Sequence, residues 1–299
     1  MAEAHSHGVS AGGENKGRLY VVLGLTSTYM FAEVVGGILT GSLALLADAG
    51  HMLTDVFGIT MALIAIKLGE RPASDRRTFG YYRTEILAAL ANAVILVVVA
   101  IYILYEAFRR FQDPPEILGG WMMVVAVIGL AVNLIGMYIL IKGAGESLNV
   151  RGAYLEVLGD TLGSVGVIVA SVIIIFTGWY PADPIIGVGI GLFIIPRAYS
   201  LLKEAVNVLL EGTPKGLKLE EVRASLLGIP GVVRVHDLHA WSITSGMNAM
   251  SGHLVVEDMS RGGDVLALAQ KVLHDEYDIE HTTIQLEPSG FDDRTKPHG

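Results

Sequence analysis

Six apolar segments dominate this sequence, and each is long enough to cross the roughly 30 Å hydrocarbon core of a bilayer as an α-helix. Charged residues make up only 17% of the chain, whereas they approach about 25% in soluble proteins. The pattern predicts a membrane protein built on an all-α bundle of six spanning helices. The segments are Leu19 to Leu39, Leu43 to Leu68, Ile86 to Tyr105, Trp121 to Ile141, Tyr154 to Phe176 and Ile185 to Leu202.

The chain changes character after Glu211. Residues 212 to 299 contain eight Lys and Arg against thirteen Asp and Glu, with no apolar run of spanning length. The periodicity predicts the order helix, strand, strand, helix, strand, with a turn at Thr244 to Gly246, and hence a small α+β domain of ferredoxin-like type. The elements are Leu217 to Leu227, Val232 to Trp241, Met250 to Glu257, Asp264 to Tyr277 and Thr282 to Glu287.

The predicted division is therefore a flexible N-terminal segment (1–17), a membrane domain (18–210), a C-terminal domain (211–289) and a flexible tail (290–299). The N-terminal segment lacks the short apolar core of a signal peptide, so we expect the first helix to be retained. Its His5 and His7 either capture metal weakly or have no role.

Basic residues in the short connections predict the orientation of the helices, because Lys and Arg are retained on the cytoplasmic side. The alternate connections carry fewer, with Arg109 and Arg110 after Tyr105 and none in Gly178 to Pro184. Six crossings then place both termini in the cytoplasm. The basic residues on that side are Lys16, Arg18, Lys67, Arg71, Arg76, Arg77, Arg83, Lys142, Arg151 and Lys203.

Composition also limits the chemistry. The chain has no cysteine, which excludes thiolate metal sites and cysteine catalysis, so any metal must be held by His, carboxylate or backbone oxygen. A formal charge of −9 argues against a nucleic-acid partner, because phosphate binding needs clustered Lys and Arg. Cations are the expected ligands.

Ionisable residues inside the apolar segments are the strongest functional signal, since each costs about 2.5 to 3.5 kcal/mol in a bilayer unless it is paired or faces water. In the second segment Asp48, His51 and Asp55 are spaced to share one helix stripe, and in the fifth Glu156 and Asp160 are spaced i, i+4. If the two stripes face each other, one imidazole and three carboxylates can bind a divalent cation.

Helix geometry places these pairs at similar depths. Asp55 lies about 20 Å along its helix from Ser42, and Asp160 lies roughly 25 Å from Thr177, at 1.5 Å per residue. The alternative is that the four residues are buried polar groups that hold the bundle together, although neutral side chains serve that purpose at lower cost. We expect that structural role for Asn92 and Asn133.

Several other polar residues are assigned with alternatives. Glu33 and Asp48 either form a proton path or pack as buried acids. Arg197, next to Pro196, is expected to reach the membrane surface or to cap a kink. Arg83 and Glu211 are expected to form an ion pair between the membrane and C-terminal parts.

The motifs around these residues resemble the cation diffusion facilitator family of divalent-metal/proton exchangers. Ser42 to Asp55 is similar to the family's second helix, Arg77 to Arg83 to its following loop, and Asn149 to Asp160 to its fifth helix. Val235 to Trp241 resembles the first strand of the family's cytosolic domain. The likeness extends from about Arg18 to Pro288, nearly the whole chain.

The resemblance implies a homodimeric carrier in the inner membrane of a bacterium that exports Zn²⁺ from the cytoplasm in exchange for protons. It implies no enzymatic activity and no prosthetic group; metal is the substrate and a possible regulator. Many zinc exporters of the family have His where this chain has Glu156, and Glu there is similar to the cobalt-zinc-cadmium resistance branch. With a third carboxylate the site can still bind Zn²⁺, and it can also bind Co²⁺, Cd²⁺, Ni²⁺ or Mn²⁺.

The resemblance also implies metal ligands in the C-terminal domain, where the alternative is that the His residues are merely solvated. His236 and His239 have opposite parity in a regular strand, so they can join one compact site only if a bulge intervenes. Gln285 stands where some members have a further His ligand. Outside this domain, some members also bind metal in the loop after the second helix, but here the loop from Leu68 to Tyr82 has Asp75 as its only likely metal ligand. The candidate ligands are His236, His239, His253, His281 and Glu287.

Three other functions agree less well with the sequence. An ATP-driven pump would need a phosphate-binding Gly-rich motif, which the sequence lacks. An intramembrane metal-dependent hydrolase would need an open coordination position and a general base. A divalent metal channel would favour weak binding at several sites over one site with four ligands. The carrier is therefore the predicted function.

Overall fold

The structure is a computed structural model and describes residues 10–69, 71–141 and 148–291. His5, His7 and the tail beyond residue 291 lie outside the described residues. Within the described ranges the chain begins with six long helices, followed by shorter helices and strands. The long helices are α1 (Ser10–Thr40), α2 (Leu43–Gly69), α3 (Arg83–Gln112), α4 (Gly119–Leu140), α5 (Leu148–Thr177) and α6 (Ala182–Leu209).

All six apolar segments are helical, as the sequence predicts. Among the described residues, five stretches are long and apolar enough to cross a membrane. The other long helix, α2, contains Asp48, His51 and Asp55 within its apolar sequence. The five stretches are Tyr20–Thr40, Arg83–Gln112, Gly119–Leu140, Ala153–Thr177 and Ala182–Leu209.

The helices form most of one compact unit, which comprises the described parts of Met1–Thr60 and Ala91–Ser200. In it α1 packs on α4 and α5, and α4 packs along α5. Small residues allow these helices to approach closely, as is common in membrane bundles. At Gly129 of α4, a Cβ would lie 1.9 Å from the hydroxyl oxygen of Tyr29 on α1, so only glycine fits against that side chain.

A fully buried carboxylate, Asp183 of α6, holds the start of α2. It accepts hydrogen bonds from the Ser42 hydroxyl (2.5 Å) and from the backbone N–H groups of Leu43 (2.7 Å) and Ala44 (3.1 Å). The first N–H groups of a helix have no partner within the helix, and their partial positive charge favours an anion. Asp183 therefore acts as an N-cap supplied by a distant part of the chain.

Arg110 of α3 adds a counter-charge to this cap. Its Nη1 lies 3.7 Å from Asp183 Oδ2 and donates to the Gly41 carbonyl, while its Nε donates to Glu106. Gly41 has a φ of 71°, a left-handed conformation that allows the tight connection between α1 and α2. The cap thus ties α2, α3 and α6 together at one end.

The second unit comprises the described parts of Met61–Leu90 and Leu201–Gly299. Within it, Arg83 at the start of α3 donates to Glu211 after α6, with 2.8 Å between Nη2 and Oε1, which confirms the predicted ion pair. The Thr244 hydroxyl donates to Glu85 in the first turn of α3. Both contacts join helix ends to the C-terminal part within this unit.

The C-terminal part of the described chain has the predicted order of elements. They are α7 (Leu219–Leu227), β1 (Val232–Thr244), β2 (Met247–Val256), a short 3₁₀ helix (Met259–Arg261), α8 (Gly262–Tyr277) and β3 (Ile279–Pro288). Within residues 212–291 the strands form one sheet in the order β1-β2-β3, with β1 antiparallel and β3 parallel to β2. The parallel pairing follows from α8, which crosses between β2 and β3.

The core of this domain lies between the helices and one face of the sheet. Leu226 of α7 and Leu273 of α8 are buried together with Val235, Leu254 and Ile279 of the strands. Because side chains alternate along a strand, the residues next to these in sequence point to the other face. That face carries the histidines of β1 and β2.

We predict that Asp183→Ala destabilises the protein by about 2 to 4 kcal/mol, because it removes the acceptor for three donors at the start of α2 and leaves Arg110 without its partner. The measurement is the thermal unfolding midpoint of the purified protein in detergent. Asp113→Ala, which removes an exposed carboxylate after α3, is the matched control and is expected to have little effect. Equal midpoints for both variants would contradict the capping role.

Candidate metal sites

The structure brings the predicted ligand stripes of α2 and α5 together. His51 Nε2 lies 3.6 Å from Asp55 Oδ2 on the same helix and 3.9 Å from Asp160 Oδ1 on α5. His51 and Asp160 are buried, with 6% and 4% of their surfaces exposed. His51 therefore lies between a carboxylate of its own helix and a carboxylate of α5, so the predicted stripes of α2 and α5 face each other here.

The fourth predicted ligand, Glu156, interacts with Asp55 directly and also shares an arginine with it. Arg197 Nη2 on α6 donates to Glu156 Oε1 (2.8 Å) and lies 3.3 Å from Asp55 Oδ1. These carboxylate partners of Arg197 were not among the sequence-based expectations, which named the membrane surface or a kink cap. Phe193, one turn earlier on α6, lies next to Gly159 of α5, so the two helices approach each other close to Arg197 and Glu156.

A cavity of about 240 Å³ opens beside these residues, between α2, α5 and α6. Asp48 and His51 contribute its polar wall. Most of the remaining wall consists of glycine and aliphatic residues of α5 and α6, among them Gly159, Gly163 and Ile190. An ion in this cavity would reach His51 directly, because His51 forms part of the cavity wall.

A second pair of acids, Glu33 on α1 and Asp48 on α2, lies in the same unit. Both are almost completely buried, with 0% and 2% exposed. The Tyr29 hydroxyl donates to Glu33 Oε1 (2.5 Å), and the carboxyl groups of Glu33 and Asp48 interact directly. Within the described residues Glu33 Oε2 and Asp48 Oδ2 accept no hydrogen bond from a donor. Two buried carboxyl oxygens that approach each other need a shared proton or cation between them.

Asn133 of α4 is also buried in this unit, and its Nδ2 donates to Ser164 Oγ of α5 (3.3 Å). Asn92 of α3 is likewise buried. A hydrogen bond between neutral groups on two packed helices is the structural role expected for Asn133.

A separate cluster forms on the face of the C-terminal sheet that carries the histidines. His236 of β1 lies opposite His253 of β2, and Glu287 of β3 reaches both. Its Oε2 lies 2.9 Å from His236 Nε2 and its Oε1 lies 2.8 Å from His253 Nδ1. One ligand atom from each residue falls within 4.8 Å of the others, a spacing that can hold a metal ion.

A β-bulge at Asp237 decides the place of His239. His236 pairs with His253 and His239 pairs with Ser251, so β1 has one residue more than β2 over this stretch. Asp237 has a φ of 50°, a left-handed conformation that Asp tolerates better than most residues. The bulge that would let His236 and His239 lie on the same side of β1 is therefore present, and His239 points to the same face of the sheet as His236.

His239 nevertheless contacts Asp237 rather than the cluster. Its Nε2 lies 3.0 Å from Asp237 Oδ1, and Asp237 Oδ2 lies 3.9 Å from His253 Nε2. Gln285, opposite His253, donates to Glu287 Oε1 (2.9 Å) and helps to orient that carboxylate. His239 is therefore a neighbour of the cluster, one side chain away.

His281 stands apart from the cluster. It lies opposite Ala249 on β2, four residues before His253, and its side chain is exposed. His281 is one of the candidate ligands named from the sequence, but it lies six residues before Glu287 on β3 and is not part of the cluster of His236, His253 and Glu287.

Sequence analysis did not identify the partners of these ligands. Arg197 carries a signal, because a permanent charge in an apolar helix needs a partner there. Asp237 and Gln285 have no such signal in the sequence, because their contacts with the ligands depend on the register between the strands.

Comparison with known proteins assigns both parts of the chain to one family. The profile "Cation efflux transmembrane domain" matches residues 19–210, and "Cation efflux protein, cytoplasmic domain" matches residues 214–289. The metal cation efflux system protein CzcD of Cupriavidus metallidurans is 51% identical over 96% of this chain and 90% of its own length.

Other relatives are similar over comparable lengths. The zinc transporter ZitB of Escherichia coli is 46% identical over 96% of this chain and 93% of its own length. The "Cadmium, cobalt and zinc/H(+)-K(+) antiporter" of Bacillus subtilis is 42% identical, over 95% and 91%.

A solved structure described as the metal-bound C-terminal domain of the CzcD transporter is 39% identical, covers 24% of this chain and 99% of that chain, and has a TM-score of 0.23. The two profiles together span nearly all of the sequence between residues 19 and 289. The chain belongs to the cation efflux family, whose members are membrane transporters and not enzymes.

Proposed function

We propose that the protein exports Zn²⁺, and also Co²⁺, Cd²⁺ or Ni²⁺, from the cytoplasm in exchange for protons. The contacts of His51 on α2 with Asp55 on the same helix and with Asp160 on α5 carry the proposal. The relatives support it, since their names include cation efflux, zinc transport and antiport of cadmium, cobalt and zinc against protons and potassium.

The separations suit a small divalent ion. Ligand atoms about 2.1 Å from a tetrahedral Zn²⁺ lie roughly 3.4 Å apart. His51 Nε2 is 3.6 Å from Asp55 Oδ2 and 3.9 Å from Asp160 Oδ1, so each carboxylate would move towards the imidazole when an ion binds. Glu156 is the proposed fourth ligand. Its oxygen, now on Arg197, would complete a set of one imidazole and three carboxylates.

Proton exchange follows from the same ligands. A metal ion needs ionised carboxylates and a neutral imidazole, so metal and protons compete for the same atoms. Three ionised carboxylates in a region of low dielectric repel one another, and either a metal ion or protons relieves that repulsion. A bundle that opens this site first to one side and then to the other couples the two ions without a further energy source.

We propose six crossings of the inner membrane of a bacterium, with both termini in the cytoplasm. The basic residues in the connections support this orientation. Helix α2 would cross the membrane in addition to the five stretches that are long and apolar enough to do so. The proposed division remains 1–17, 18–210, 211–289 and 290–299. Its C-terminal part has the element order of the βαββαβ ferredoxin-like pattern without the first strand.

Glu33 and Asp48 are the proposed proton path. Asp48 lies one turn before His51 on α2 and lines the same cavity, while Glu33 lies beyond it on α1. A buried pair of carboxyl groups can take up and pass on one proton. This pair would connect the metal ligands to Tyr29 in the interior of the bundle.

The C-terminal domain is the proposed metal sensor and dimer contact, with His236, His253 and Glu287 as ligands. Two neutral imidazoles and one carboxylate suit Zn²⁺, and a fourth position remains for another ligand. His239, next to the cluster through Asp237, is the nearest candidate for that position. A homodimer joined through these domains would make cytoplasmic metal a regulator of the carrier.

Replacement of Asp55 or Asp160 by Ala should reduce Zn²⁺ flux to background, because each removes a proposed ligand; changes outside the ligand shell cost only about 10- to 100-fold. The measurement is pH-gradient-driven uptake into proteoliposomes, without ATP, for Zn²⁺, Co²⁺, Cd²⁺ and Ni²⁺. Asp75→Ala, which removes an exposed loop acid, is the control. Saturable uptake that persists in either ligand variant would falsify the site, and uptake that does not saturate would favour a channel.

Glu33→Gln and Asp48→Asn should weaken proton coupling more than metal movement, because each removes a protonatable group but leaves the proposed ligands. We expect fewer protons moved per metal ion, measured with a pH-sensitive dye and a metal dye in the same vesicles. Asn92→Ala, which alters another buried polar residue, is the control. An unchanged ratio in both acid variants would assign Glu33 and Asp48 a packing role only.

His253→Ala and Glu287→Ala should lower the apparent affinity for metal about tenfold while the maximal transport rate is kept, since they remove ligands of the proposed sensor. His281→Ala, on the same strand face but apart from the cluster, is the matched control. Initial rates over a range of Zn²⁺ concentrations separate the two parameters. A complete loss of transport in the cluster variants would mean that the domain is more than a sensor.

A further inference from the structure

Arg197 is the cationic side chain that contacts the proposed transport ligands in the described part of the chain. A single nitrogen, Nη2, lies 2.8 Å from Glu156 Oε1 and 3.3 Å from Asp55 Oδ1. These two carboxylates come from different helices, α5 and α2, and Arg197 comes from a third, α6. The guanidinium therefore contacts the oxygens that a metal ion would need.

The formal charges explain why a positive group is required at this place. Asp55, Glu156 and Asp160 carry −3 when ionised, and the permanent charge of Arg197 reduces the sum to −2. A site with an imidazole in place of the Glu156 carboxylate would reach −2 without an arginine, so Glu156 and Arg197 balance each other.

Arg197 and a metal ion cannot both make full use of the same oxygens. Two cations a few ångströms apart in a region of low dielectric repel each other strongly. About 43% of the Arg197 side chain is exposed, whereas Asp55 is 14% exposed, so the long arginine side chain has space to withdraw. Metal entry would separate Arg197 from Asp55 and Glu156, and metal release would allow it to return.

We propose that Arg197 is a tethered competing cation that lowers the metal affinity of the transport site and promotes metal release. The inference rests on the proposed function, because it takes His51, Asp55, Glu156 and Asp160 as the transport ligands. It assigns Arg197 a positioning role, in which it displaces the ion from the carboxylates without binding the ion itself. The ion pair with Glu156 holds it in place.

The alternative is that Arg197 only joins α6 to α2 and α5. In that case its removal would loosen the ligands and weaken metal binding. The two roles therefore predict opposite changes in affinity, and the measurement can distinguish them without reference to the overall stability of the bundle.

The experiment measures equilibrium Zn²⁺ binding to the full-length protein in detergent, by competition with a metal-sensitive dye. All proteins carry His236→Ala and His253→Ala, which remove the C-terminal cluster from the measurement. Arg197→Gln removes the charge but keeps hydrogen-bond donors, and Arg197→Lys keeps the charge. We expect Arg197→Gln to raise the affinity about tenfold and Arg197→Lys to stay within about threefold of the parent.

Transport gives a second readout. In proteoliposomes Arg197→Gln should lower both KM and kcat, because the ion binds more tightly and leaves more slowly, and Arg197→Lys should restore both. The effect of Arg197→Gln should shrink to less than about threefold in a protein that also carries Glu156→His, since the group that anchors Arg197 is then absent. Arg109→Gln, which removes a largely exposed arginine paired with Glu106 on α3, controls for the loss of one charge.

Asp160→Ala separates the inference from the proposed function. If Asp160→Ala leaves Zn²⁺ binding unchanged, the transport site itself is wrong and the role of Arg197 is overturned with it. If Asp160→Ala abolishes binding but Arg197→Gln weakens it or leaves it unchanged, the site stands and the competing-cation role is overturned. An equal effect of Arg197→Gln with and without Glu156→His would also contradict the charge balance with Glu156.

Discussion

The structure of this protein depends on the partners of ionisable side chains buried in apolar helices. A charged residue at the centre of a bilayer costs about 2.5 to 3.5 kcal/mol on insertion scales, and a partner offsets that cost. Asp183 meets the start of α2, Glu33 meets Tyr29, and Arg197 meets Glu156 and Asp55. The contacts of Asp183 and Arg197 join separate helices, so at these positions the pairing of charges also determines how the helices pack.

Helix α2 illustrates how the same constraint separates stability from function. Its first turn is capped by Asp183, which is fully buried and makes several short hydrogen bonds. Its middle carries His51 and Asp55, whose contacts with each other, Asp160 and Arg197 are longer, between 3.3 and 3.9 Å. The cap fixes the helix at one end, whereas the looser contacts leave oxygen and nitrogen atoms able to exchange partners.

The sequence predicts those features that depend on local periodicity. Spacing alone places His51 with Asp55 and Glu156 with Asp160 on shared stripes, and length and alternation predict the helices and the strand order. The partners of Arg197, the Asp183 cap and the bulge at Asp237 were not predicted. Arg197 and Glu156 are 41 residues apart in the sequence, and Asp183 is about 140 residues from the start of α2. The bulge depends on the register between β1 and β2. Such contacts follow from tertiary packing, which a local pattern does not contain.

The two candidate sites differ in charge, and this difference fits their proposed roles. The C-terminal cluster combines two imidazoles with one carboxylate, and Glu287 already contacts both histidines. It needs no internal cation, and its occupancy would follow the concentration of free metal around the domain. The site between the helices has three carboxylates and one imidazole, with an arginine on two of the carboxylates. A transport site must release its ion in every cycle. An excess of anionic ligands gives strong attraction for a divalent ion, and a cation that competes for the same oxygens, whether a proton or Arg197, makes that attraction reversible.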